Sequence, residues 1–182
     1  NGYDNQPFFP DKSDAVYYAS ANDSGRTDIF YYQFRRSMKD AIIVTDDDRE
    51  YSPTVTPDGK SISCIIQRPN GDQDLGMYSR YNRKKDPVVL INNLKIGYHA
   101  WVDKTRLLLF VLGDSNTNTL HLYDIKTKSD IILTDNIGRS LHKIPGQNAM
   151  SFVKKNGKES MIKRFDIATG QITDIIPTLP SQ

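Results

Sequence analysis

The chain has a single cysteine, Cys64, in 182 residues, and this excludes an internal disulfide. It lacks an excess of either charge. Its 24 basic and 22 acidic side chains leave a formal charge of +2. That balance is too even to hold a nucleic acid or an anionic membrane by charge. Long apolar runs are absent as well. The longest, residues 107–112, is far too short for a membrane-spanning helix. No stretch carries apolar residues at helical spacing over three turns. Common enzyme signatures are missing: there is no Gly-x-Ser-x-Gly elbow, no His-Glu-x-x-His, no phosphate-binding glycine loop and no cysteine pair for zinc. The chain opens Asn-Gly-Tyr-Asp, with neither Met nor a signal peptide in view.

What is present is a repeat. A segment recurs four times at a period of about 45 residues, clearest at Tyr51-Ser-Pro-Thr-Val-Thr-Pro-Asp-Gly-Lys60. Pro7, Pro53, His99 and His142 hold matching places, 46, 46 and 43 residues apart. A period of this size signals a repeat architecture. Each unit reads as four short strands, rich in Ile, Val, Tyr and Phe, with Gly, Pro, Asn and Asp in the gaps. The expected strands are 7–9, 15–20, 28–34 and 41–44, then 53–56, 61–66, 74–81 and 88–91. The third unit gives 99–102, 106–112, 119–125 and 130–133, and the fourth 142–144, 149–154, 160–167 and 172–176. The expected turn at Pro57-Asp-Gly59 places Gly59 at positive φ. Strand-sized runs every 8–12 residues predict an all-β fold. Turns that recur in register favour a β-propeller of four-stranded antiparallel blades over a sandwich. The blades expected in the single segment 1–182 are 3–46, 47–92, 93–135 and 136–178.

The residues Ser52-Pro-Thr-Val-Thr-Pro-Asp-Gly-Lys60, with Asp74-Leu-Gly-Met-Tyr78 downstream, resemble the TolB-type propeller repeat. Asp28-Ile-Phe30 and Leu122-Tyr-Asp124 fit its third strand, and Val44-Thr45 and Leu133-Thr134 its fourth. The resemblance covers essentially the whole chain. It is specific in the second unit and weakest in the third and fourth, where Trp101-Val-Asp103 and Ile144-Pro-Gly146 keep only parts of the pattern. It implies a ring of six or seven blades, of which four are present here. Open sheet edges then imply self-association or pairing with missing blades. Whole-blade ends read as a fragment of a longer protein.

His99 and His142 occupy equivalent first-strand positions on adjacent units. In a propeller the first strand lines the channel, so the two imidazoles are expected near one end of it, with Tyr98, Arg139 and Ser140 close by. Such a mouth suits a polar or anionic ligand or a protein partner. Protonation of both histidines below about pH 6.5 would then strengthen an anion and weaken a metal. The competing structural reading makes them hydrogen-bonded channel residues. Trp101 reads as core, and His121, on a third strand, as structural or exposed. Asp46-Asp-Asp48 reads as a solvated turn, because calcium needs more oxygen ligands at a defined spacing. Arg35-Arg36, residues 80–85 and Lys154-Lys155 read as solvated faces. Ser24, Ser115 and Ser129 lie on loops without a His and acid partner in sequence.

Two function classes remain. By resemblance, the first is a non-enzymatic scaffold, periplasmic or otherwise exported, that docks a protein or small polar ligand at the channel mouth. It needs no cofactor, binds no nucleic acid and inserts into no membrane. The second is the propeller part of an enzyme. That is either the gate of a prolyl-oligopeptidase-like peptidase or a polysaccharide lyase holding an axial metal on histidines.

Overall fold

The computed structural model describes residues 3–11, 13–82, 86–114, 117–157 and 159–179. Ser115 and positions 83–85 of the basic stretch lie outside these residues. The fold is all-β; the described residues form sixteen strands in four antiparallel sheets, each the four-stranded blade of a β-propeller. The first blade comprises β1 (Asp4–Phe8), β2 (Ala15–Ala21), β3 (Thr27–Gln33) and β4 (Met38–Ile43). The second comprises β5 (Arg49–Val55), β6 (Ser61–Gln67), β7 (Gln73–Ser79) and β8 (Val88–Ile91). The third comprises β9 (Ile96–Trp101), β10 (Arg106–Val111), β11 (Thr119–Asp124) and β12 (Asp130–Thr134). The fourth comprises β13 (Ile137–Lys143), β14 (Ala149–Asn156), β15 (Glu159–Asp166) and β16 (Ile172–Pro177). Within each sheet the strands pair in sequence order. The chain divides into two compact units, Asn1–Lys95 and Ile96–Gln182, of two blades each.

Each unit has its own core. In the first, Tyr17, Ala19, Ile29 and Ile43 of one blade meet Ile62, Cys64, Ile66 and Tyr78 of the other. In the second, Ala100, Leu108, Phe110 and Leu120 meet Ile137, Leu141, Met150 and Phe152. The middle strands β6 and β10 are buried on both faces, so they read as near-continuous apolar runs.

The first strand of every blade begins earlier than the sequence suggests, because each carries a bulge. One extra residue separates Asn5 from Phe8, Tyr51 from Thr54 and Ile96 from Tyr98, relative to their partners. Two extra separate Ile137 from Leu141. Pro7 and Pro53 sit inside the bulges of β1 and β5, where a ladder donor is not required. The residues before them, Gln6 and Ser52, have φ of 57° and 52°. The Gln6 Oε1 accepts the Ser52 backbone N–H at 2.8 Å and ties the two bulges together. The recurring prolines therefore mark bulges, not strand starts.

The turn at Pro57-Asp-Gly59 is as expected. The Gly59 N–H donates to the Thr56 carbonyl at 2.8 Å, and Gly59 has φ 72°. Asp58 caps the turn, accepting the Thr56 hydroxyl at 2.6 Å and the Lys60 N–H at 3.0 Å. A Cβ on Gly59 would touch nothing within 4 Å, so only its backbone conformation resists substitution. Gly59→Ala should cost about 1 kcal/mol in urea unfolding. An unchanged midpoint would remove the glycine's conformational role.

Candidate functional site

β9 and β13 are the first strands of the two blades of the second unit, and they approach each other there. That much matches the expected neighbourhood of His99 and His142. The side chains do not converge. Alternation along β9 puts Tyr98 and Ala100 on the face that packs against the fourth blade. Tyr98 meets the Phe110 ring edge-on at 5.7 Å. His99, paired with Leu109, therefore projects from the opposite face, where Trp101 and His121 also lie. On β13, Leu141 projects into the shared core and His142, paired with Ser151, projects the other way. The two imidazoles point away from each other across the pair of blades.

Their environments differ as much as their directions. His99 is 6% exposed, and burial pushes its pKa down to about 3. An imidazolium is thus unavailable at His99 over the pH range that the sequence suggests. His142 is exposed. So are Arg139 and Ser140, which occupy the two-residue bulge of β13, and Lys143 beyond them. Among the described residues no ion pair engages Arg139 or Lys143. The result is an exposed polar row on one strand, with two fixed positive charges.

The other singled-out residues have structural work. His121 is buried, its Nδ1 2.7 Å from Asp130 and its Nε2 2.8 Å from the Thr119 hydroxyl. Trp101 is 8% exposed. Asp48 and Asp74 both receive Arg68, each at 2.6 Å. Asp124 accepts the N–H groups of Lys126 and Thr127 and holds the β11–β12 turn. The Ser24 hydroxyl donates to Asn22 at 2.7 Å. Among the described residues no group of three or more His, Cys, Asp or Glu side chains is placed to hold a metal.

Sequence reasoning passed over a strongly perturbed carboxyl group. Glu50, on β5 in the first unit, is fully buried. Its Oε1 accepts the Thr45 hydroxyl at 2.9 Å and the Tyr78 hydroxyl at 3.3 Å, while its Oε2 is buried without a donor. Burial, with the nearby Asp28 and Asp48 carboxylates, raises its pKa to about 7. Nothing in Asp-Arg-Glu-Tyr flags this, since it reads as a polar strand end.

Neither a protein-family model nor any curated protein matches the sequence. Solved structures do resemble the fold. TolB from Acinetobacter baumannii superposes with TM-score 0.72 at 15% identity, over 97% of this chain and 44% of that one. A putative TolB from Agrobacterium tumefaciens gives 0.73 at 13% identity, over 93% of this chain and 63% of that one. A puromycin-hydrolysing peptidase from Mycobacterium tuberculosis gives 0.68 at 13% identity, over 94% of this chain and 28% of that one. The chain thus spans less than two thirds of the length of these proteins. At these identities the likeness concerns the fold, and that fold is the TolB-like β-propeller.

Proposed function

We propose that the chain is a non-enzymatic binding scaffold of TolB-like type, working in the periplasm or another exported setting. It docks a protein partner or a small polar ligand through the exposed row of β13. The supporting observation is that Arg139, Ser140, His142 and Lys143 are all exposed on the first strand of one blade. The matching stretch of β5 is instead closed off, with Ser52 and Pro53 buried. Two cations that meet no carboxylate among the described residues favour an anionic ligand group. Of the five residues that the sequence suggests, Arg139, Ser140 and His142 would make contact. Tyr98 and His99 would support β9 beneath them.

The test is fluorescence anisotropy with a labelled hexaglutamate peptide. Arg139→Gln/Lys143→Gln should weaken binding about tenfold or more, since each charged hydrogen bond is worth roughly 1.5–3 kcal/mol. Unchanged affinity would sink the reading. The alternative, a propeller within a larger enzyme, draws its support from the likeness to the Mycobacterium peptidase, of which this chain spans 28%. The complete open reading frame decides between them. A hydrolase region with a nucleophile elbow would favour the peptidase reading.

A further inference from the structure

The first unit contains a cleft of about 310 Å³ between its two blades, remote in sequence from β13. Its walls are Tyr17, Tyr31, Ile42, Ile62 and Tyr78, and its rim carries Asp14 and Arg80. Tyr17 and Tyr31 stand 6.1 Å apart and tilted by 32°. The Arg80 guanidinium donates to the Tyr17 hydroxyl at 2.8 Å and to the Gly59 carbonyl at 2.7 Å, so its position is fixed. A second hollow shares Ser13, Asp14 and Gln33 with the cleft and adds Arg35 and Arg36. Three guanidinium groups therefore border this opening against one carboxylate. Asp14 is already engaged by the Gln33 amide at 3.3 Å, and Arg35 lies 4.0 Å from it with its side chain 87% exposed.

Beside the opening lies an aromatic surface. Phe9 and Phe34 stack at 6.4 Å with their planes within 5°, yet they are 62% and 50% exposed. The Phe34 N–H donates to the Asp14 carbonyl, which fixes the stack next to the rim. Two stacked phenyl rings left in water are an apolar surface suited to a partner.

We propose that this cleft binds the C-terminal residue of a partner polypeptide, with an apolar side chain in the tyrosine-lined cavity. Its terminal carboxylate meets Arg35 and Arg36, and the preceding residue lies on the Phe9–Phe34 stack. The cavity volume is at the small end for ligand pockets, which suits one side chain rather than an extended molecule. The excess of guanidinium over carboxylate selects an anionic end group. The stack selects an occupant that continues beyond the cleft.

Calorimetry with the peptide acetyl-Ala-Ala-Ala-Phe, as the free acid and as the C-terminal amide, tests this. The acid should bind at least about tenfold more tightly than the amide. Arg35→Gln/Arg36→Gln should erase that difference without altering stability, because both side chains are exposed. Phe9→Ser/Phe34→Ser should weaken the peptide but not N-acetyl-phenylalanine. Arg139→Gln/Lys143→Gln should leave all of this unchanged, which separates this site from the β13 row. Equal binding of acid and amide, or no saturation by about 1 mM, overturns the proposal. N-acetyl-phenylalanine binding as tightly as the peptide overturns the polypeptide assignment in favour of a small aromatic acid.

Discussion

The first unit should lose about 3 kcal/mol of stability as pH rises from 4.5 to 7, and Glu50→Gln should remove that loss. The pKa of Glu50 is about 7 in the folded chain against 4.5 for an ordinary glutamate. Between those values the folded state holds a proton that the unfolded chain has released. Stability is therefore complete below about pH 4.5 and declines as pH climbs through the folded value. The magnitude follows from about 1.4 kcal/mol per pKa unit for a group with no exposed surface. Burial is the main cause, and the carboxylates of Asp28 and Asp48 add to it. Arg68 gives no direct relief, because Asp48 and Asp74 already occupy its guanidinium. Glutamine keeps an acceptor for the hydroxyls of Thr45 and Tyr78 and carries no charge. Cys64, fully buried in the same core and the single thiol of the chain, reports opening of this unit. Its labelling across a urea series, compared between parent and variant at equal pH, cancels the chemistry of the thiol itself. Parallel pH profiles for parent and Glu50→Gln would show that Glu50 is not the coupled group.

The propeller was legible in the sequence because its signals are local. Turn residues such as Pro57-Asp-Gly59 and strand runs such as β6 need no tertiary knowledge, and their recurrence in register names the repeat. The bulges were less legible. Pro7 and Pro53 announce an interruption of the ladder, but in the two later blades the bulges fall at Gly97 and at residues 138–140, ahead of the aligned His99 and His142. His99 and His142 do lie on the first strands of their blades, but their side chains diverge. His99 and His142 align in the repeat, yet side-chain direction follows strand alternation, and bulges of different size break the equivalence between blades. A usable signal was present. Trp101, two residues from His99 and so on the same face, is apolar, whereas Ser140, two residues from His142, is polar. The buried face and the wet one were written in those neighbours. Glu50 and the tyrosine-lined cleft were beyond reach, because each arises from two blades meeting and not from any one segment.

Acidification should act on the second unit in the opposite sense. His99 titrates near 3 when folded against 6.5 for a free imidazole, and burial is the cause. Between these values the unfolded chain binds a proton that the folded chain refuses. Stability then falls as pH drops below about 6.5, by about 3 kcal/mol at about pH 4.5. Trp101 is the single tryptophan, lies on the same face of β9 and is 8% exposed, so its fluorescence follows this unit. His99→Gln retains a polar side chain at the position but cannot take up the proton. The variant should unfold at a urea midpoint that changes far less between about pH 7 and 4.5 than the parent's. If its midpoint falls as steeply as the parent's, the acid sensitivity belongs elsewhere and His99 is not the buried base. A flat profile in the variant would have a functional consequence. A neutral imidazole held in the core attracts no anion at any working pH, so the charge of a binding face on this unit would come from Arg139 and Lys143.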